Sequence, residues 1–168
     1  VTLQKGPDYF VKLAKSVLDF EPNTKFVLAG NGDMLPRVIE QVADMGMSDN
    51  FVFPGFLKGE DVHRAFQMAD LYVMPSVSEP FGLVALESVK NGTPTLVSKQ
   101  SGVSEVLDHC FKVDFWNIDE MTNKVVSFLR HPELSQSLSE NSKIESDKFN
   151  LIEPAKKCID CYNEVLSW

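Results

Sequence analysis

Five short, largely apolar runs recur along the chain: Lys25–Ala29, Asn50–Phe53, Leu71–Met74, Thr95–Ser98 and Phe111–Val113. Between them, apolar residues fall three or four positions apart, the period of a helix that buries one face. A strand with one wet face alternates polar with apolar, whereas runs this apolar need cover on both faces. Strands of that kind alternating with helices specify a parallel sheet with helices packed on each side. The fold class is therefore α/β: a Rossmann-like, doubly wound parallel sheet with helices on both faces and a helical C-terminal segment.

The helical stretches can be placed from the same pattern. Phe10, Leu13, Ala14, Val17 and Leu18 follow Lys5-Gly6-Pro7, and Pro7 suits a first helical turn. Leu35, Val38, Ile39, Val42 and Ala43 follow the turn Gly30-Asn31-Gly32-Asp33. Further helices are expected over Asp61–Met68 and Gly82–Lys90, with a short one near Ser104–Leu107. From Asp119 onward the pattern is helical and closes with Ile152–Leu166. The 168 residues fit one domain, residues 1–168, around one hydrophobic core.

Composition narrows the function. Lys and Arg number 16 against 24 Asp and Glu, a net charge of -8 with neither sign gathered into a block. Nonspecific nucleic-acid and acidic-membrane binders carry basic patches, so those partners are disfavoured. An anionic small molecule would have to be held by a few local cations and backbone amides. No apolar run approaches the ~20 residues of a membrane helix, and the first residues lack a signal-peptide pattern. Cys110, Cys158 and Cys161 make an odd count. That fits a reducing compartment, so a cytoplasmic location is expected.

Open parallel sheets bind ligands at the carboxyl ends of their strands. Three strand ends carry suggestive loops: Gly30-Asn31-Gly32, Pro54-Gly55-Phe56-Leu57, and Pro75 through Gly82. The last is the most informative, because Gly82 stands where a helix starts. Free amides at Gly82 and Leu83, with the helix dipole behind them, make an anion site, and glycine permits close approach. Glu87 follows Leu83 by one helical turn and offers a double acceptor suited to a vicinal diol such as ribose. Glu79 just precedes the helix, where it could meet hydroxyls beyond the phosphate.

The segment EPFGLVALE, residues 79–87, followed by Asn91-Gly92-Thr93-Pro94, resembles the donor-binding motif of retaining glycosyltransferase family 4 (group 1). Lys5-Gly6, Ala29 through Gly32, Val52 through Phe56, Ala69 through Ser76 and Ser101 through Glu105 stand in that family's order, so the likeness spans nearly the whole chain. The resemblance implies one half of a GT-B fold, the C-terminal half that binds the nucleoside-diphosphate sugar. It implies catalytic roles for Lys5, on the donor diphosphate, and for Glu79, which with the Phe81, Gly82 and Leu83 amides meets the sugar and distal phosphate. Glu87 would bind the ribose, while Gly30, Phe56 and Leu57 would line the nucleotide end.

The family also has an arginine shortly before the lysine, on a first strand, and an N-terminal domain that takes a sugar or lipid-linked acceptor. The resemblance places all of these outside this chain. It implies retention of configuration, with charge on the departing diphosphate met by fixed dipoles and cations. Polysaccharide biosynthesis is the implied setting, and the isolated domain is expected to be inactive. No cofactor or metal is expected, since no Asp-x-Asp pair or His cluster suits Mg or Mn. Ser101 departs from the pattern, standing where the family often has a glycine.

Other readings differ in what they require. A glycosidase acid–nucleophile pair needs carboxylates opposed across a cleft, which Glu79 and Glu87 do not suggest. Cys158 and Cys161 have CxxC spacing but no preceding strand or second pair, so they read as helix packing rather than a redox or zinc site. His63, His109 and His131 are isolated and none is a catalyst. Two other functions fit the motif: another GT-B enzyme such as a nucleotide-sugar epimerase, and a nonenzymatic nucleotide-sugar-binding module.

Overall fold

The computed structural model describes residues 1–146, 148–149 and 152–166. A single turn at Leu3–Lys5 leads into α1 (Pro7–Leu18), which Pro7 opens at its first position. There follow β1 (Phe26–Val27), α2 (Leu35–Asp44), β2 (Phe51–Val52), α3 (Glu60–Met68), β3 (Tyr72–Met74), α4 (Leu83–Lys90), β4 (Thr95–Ser98) and β5 (Phe111–Val113). Three helices close the described chain: α5 (Ile118–Arg130), α6 (Pro132–Ser146) and α7 (Ile152–Leu166).

β4 organises the interior. It pairs in parallel with β3 on one edge and β5 on the other, and all four of its residues are buried. Because strand side chains alternate in direction, Leu96 and Val97 enter opposite layers. Leu96 joins Val11, Leu13, Ala14 and Val17 of α1 and Met121 and Val125 of α5 in one cluster. Val97 joins Met74, Val103, Leu107, and Ala85 and Val89 of α4 in the other. The expectation of one core is thus corrected to two clusters separated by the sheet, as follows from helices covering both faces.

Among the described residues the expected single sheet is divided into two ladders, β1–β2 and β3–β4–β5, each parallel. Among the described residues β1 pairs only with β2, and β3 only with β4. With one paired edge, the Lys25–Ala29 and Asn50–Phe53 runs retain two-residue ladders. Pairing nevertheless continues beyond them, as Leu28 N–H donates to the Val52 carbonyl (3.0 Å) and Gly30 N–H to that of Gly55 (2.7 Å). Residues 1–6 run between the carboxyl ends of β1 and β3. Met34 N–H donates to the Val1 carbonyl (3.2 Å) at one end, and Val77 N–H to the Gln4 carbonyl (2.9 Å) at the other.

Two further corrections concern helices. The expected turn near Ser104–Leu107 begins two residues earlier, at Gly102–Glu105, because Gly102 and Val103 are tied to the preceding loop through their own amides. The expectation that Cys158 and Cys161 pack a helix is also overturned. Both lie on α7, and both are exposed, free thiols. An amphipathic spacing does not reveal whether its apolar face is covered, and here Ile159 and Tyr162 are exposed too.

These environments should separate on measurement. Replacing both Cys158 and Cys161 with Ala should change unfolding free energy by less than about 0.5 kcal/mol, whereas Phe128→Ala should cost ~3–5 kcal/mol. Burial pushes the Cys110 thiol up to about 11, against the milder pull of Lys112. A colourimetric thiol reagent at pH 8 should therefore titrate Cys158 and Cys161 rapidly and Cys110 slowly. Three equal labelling rates would contradict this placement.

Candidate functional site

The loop from β3 to α4 is shaped by a glycine contact. Gly82 is buried at the start of α4 with φ 103° and ψ 47°, a backbone region that suits only glycine well. A Cβ there would stand 2.9 Å from Val103 Cγ1 and 3.2 Å from Met74 Cε. Gly102 approaches just as closely, since its Cβ would lie 2.3 Å from the Pro80 carbonyl oxygen. Gly102 N–H donates to the Glu79 carbonyl at 3.0 Å and Val103 N–H to that of Phe81. Glu79 and Ser101 form an isolated parallel bridge, which extends the β3–β4 pairing past the strands themselves.

Lys5 reaches this loop from the N-terminal segment. Gly6, with φ 62°, lets the backbone turn against Pro75, whose carbonyl oxygen would be 2.1 Å from any Cβ at that position. That approach brings the Lys5 ammonium into an ion pair and hydrogen bond with Glu79 Oε2. The Glu79 side chain is 12% exposed and that of Lys5 52%, so the carboxylate is fixed while the cation retains access to solvent. Two residues 74 apart in sequence, both singled out from motif order, therefore meet.

Around this pair, Phe81 and Leu83 expose their side chains at the mouth of α4. Glu87 is exposed one turn along the helix, where its main-chain carbonyl accepts from Asn91 Nδ2 at 2.8 Å. Burial raises the Tyr72 phenol well above its ordinary value, and the charges of Glu79 and Glu87 raise it further. Both carboxylates thus act on the Tyr72 phenol, on a half-buried residue of β3. The apolar run Leu71–Met74 carries no signal for this coupling.

Gly30, Phe56 and Leu57 form a second rim at the ends of β1 and β2. Gly30 has φ 123° and is hydrogen-bonded to Gly55. Phe56 is 63% exposed, with Lys58 Nζ 5.7 Å from its ring centre, and Leu57 is half-buried. Residues 1–6 run from this rim to the first. An exposed aromatic face at a strand end is suited to stacking against a flat base.

Ser101 turns its side chain inward. Its hydroxyl is buried and donates to the Ser98 carbonyl at 2.6 Å, so it secures the turn from behind. His63 Nδ1 lies 3.1 Å from Asn91 Oδ1, away from the Lys5–Glu79 pair. Among the described residues no group of three His, Cys, Asp or Glu side chains is arranged to hold a metal ion, and no helix is long and apolar enough to cross a membrane.

Comparison with known proteins gives the family and the fold. Residues 1–145 match the family described as Glycosyl transferases group 1. An uncharacterized glycosyltransferase of Methanocaldococcus jannaschii is 38% identical over 109 residues, covering 65% of this chain and 28% of that protein. Sucrose-phosphate synthase from Thermosynechococcus elongatus superimposes with a TM-score of 0.88 at 23% identity, over 99% of this chain and 43% of its own. Anabaena HepE in complex with UDP and glucose gives 0.87 at 18% identity, over 98% of this chain and 46% of its own. The fold is that of GT-B glycosyltransferases, and the chain spans less than half the length of these three proteins.

The glycine contact supports a direct test by chemical denaturation. Gly82→Ala combines an unfavourable backbone region with a collision against Val103, and should cost ~2–4 kcal/mol. Gly46→Ala has a similar positive φ of 70° but nothing within 4 Å of the new Cβ. It should cost only the backbone part, about 1–2 kcal/mol. Equal costs would show that Gly82 is not held against Val103.

Proposed function

The chain belongs to the group 1 glycosyl transferases, and on that premise we propose that it is the donor-binding half of a retaining enzyme. The donor is a nucleoside-diphosphate sugar. The observation that carries this reading is the meeting of Lys5 and Glu79 beside the glycine-initiated start of α4. A cation, a carboxylate and free helix-terminal amides in one place match a ligand that is anionic at one end and rich in hydroxyls at the other.

In this scheme the diphosphate lies against the Gly82 and Leu83 amides, within reach of Lys5. As the glycosidic bond breaks, negative charge grows on the departing nucleoside diphosphate. Lys5 and the α4 dipole stabilise that charge without reorganising. Charge neutralisation is thus assigned to these groups rather than to a metal ion. Glu79 accepts hydrogen bonds from sugar hydroxyls, Glu87 holds the ribose diol, and the base rests by Phe56, Leu57 and Gly30. The acceptor hydroxyl attacks from the face that the diphosphate leaves.

The acceptor, a sugar or a lipid-linked sugar, is assigned to an N-terminal domain of the whole protein. The sheet supports a further strand as well. β1 and β3 each have an unpaired edge among the described residues, and residues 1–6 emerge between their carboxyl ends. A parallel strand preceding Val1 and lying between β1 and β3 would unite the two ladders.

Calorimetry of the chain against ADP, UDP and GDP should show weak binding of a nucleoside diphosphate, with no sugar transfer. Binding of none would remove the support for a donor site, and robust transfer would contradict the division of labour between two domains. Glu87→Gln keeps side-chain size but exchanges one acceptor for a donor, and should weaken binding about tenfold. The 2'-deoxy nucleotide should lose a similar amount on the unmutated chain and little more on the variant. Equal binding of ribo and deoxy ligands would show that Glu87 does not read the sugar.

A further inference from the structure

One buried charge has no part in the scheme above. Glu145, near the end of α6, is 3% exposed. Its Oε1 accepts the Asp108 amide at 2.8 Å and its Oε2 the His109 amide at 3.0 Å. A carboxylate withdrawn from water is costly unless its oxygens are satisfied, and two consecutive amides converging on it form charge-assisted bonds of the stronger kind. The turn between Leu107 and β5 is thereby fastened to a helix 36 residues away.

The fastened turn leads directly to the site. Leu107 is fully buried, and its amide donates to the Val103 carbonyl at 3.0 Å. Val103 in turn lies under Gly82 and donates to Phe81, while Gly102 donates to Glu79. The segment 102–109 is therefore a strut held by Glu145 at one end and by the donor loop at the other. α6 also grips the far end of α4, where Ser139 Oγ donates to the Gly92 carbonyl at 2.7 Å.

We propose that Glu145 is a positioning residue for the donor site. By holding the amides of Asp108 and His109 it fixes Gly102 and Val103, and through them the direction in which the Gly82 and Leu83 amides point. The proposal rests on the donor-binding reading given above, but its first consequence is visible without any ligand. Glu145→Gln keeps the size and one acceptor but turns an N–H toward one of the two amides. The strut then loosens at that end. Affinity should be lost in the diphosphate contacts, which depend on amide direction, and not in the base contacts on the other rim.

The test uses 15N-labelled chain and Glu145→Gln. The variant should shift the amide signals of Gly82, Leu83, Gly102 and Val103 as well as those of Asp108 and His109. It should weaken the nucleoside diphosphate that binds the unmutated chain about five- to tenfold, while changing affinity for the matching nucleoside less than about twofold. Ser139→Ala, which removes the other bond from α6, supplies the control for lost stability, and its diphosphate affinity should stay within about twofold of the unmutated chain.

A second readout uses the unmutated chain and holds even where Glu145→Gln folds poorly: saturating nucleoside diphosphate should slow hydrogen exchange at Asp108 and His109 along with Gly82. Unmoved Gly82 and Leu83 signals would overturn the proposal, as would equal losses for nucleoside and diphosphate, or unchanged exchange at Asp108 and His109 on binding. If no nucleoside diphosphate binds the unmutated chain, the donor reading fails, and the ligand-free amide shifts decide the proposal.

Discussion

Gly82 lies so close to Val103 that no side chain fits between them, and the candidate site is built outward from that contact. It lets the loop after β3 fold onto the turn after β4, where the Glu79 and Phe81 carbonyls are taken up by the Gly102 and Val103 amides. Once the loop is pinned, α4 starts at a fixed point with its first amides uncommitted to helix bonds. Glu79 is held at the same place, and Lys5 reaches it over the equally close approach of Gly6 to Pro75. Two backbone contacts that exclude side chains thus fix a cation, a carboxylate and a helix terminus relative to one another.

The sheet explains why these groups gather at one edge. Each ladder is parallel, so its strands end on the same side, and residues 1–6 join the loop after β1 to the loop after β3. β4 is buried on both faces, with Leu96 in the layer of α1 and α5 and Val97 in that of α4. Its position is therefore fixed by two clusters at once. A chain with net charge -8 repels anions at long range. A local arrangement of one lysine and aligned amides overcomes this only at short range, which is consistent with a shaped site rather than a charged surface.

Element order was readable because it depends on local periodicity. β4 and β5 occupy the expected residues, Thr95–Ser98 and Phe111–Val113, and α4 begins one residue after Gly82. The Lys5–Glu79 meeting was legible only through motif order, since nothing local links residues 74 apart. The division into two ladders and two clusters depends on which strand edges find partners, and a strand's own residues do not record that. Glu145 left no trace because a glutamate late in a polar helix reads as solvated, and its burial comes from amides on a distant turn. Cys158 and Cys161 misled for the opposite reason, as helical spacing predicts a face but not what covers it.

The most direct test of the account is a titration of the 15N-labelled chain with ADP, UDP and GDP in turn, followed residue by residue through its amide signals. The account predicts the largest changes at Lys5, Gly6, Gly82 and Leu83, with a second group at Gly30, Phe56 and Leu57. Changes centred instead on the groove between α1 and α2, lined by Asp8, Lys12, Arg37 and Glu40, with Gly82 and Leu83 unmoved, would contradict it.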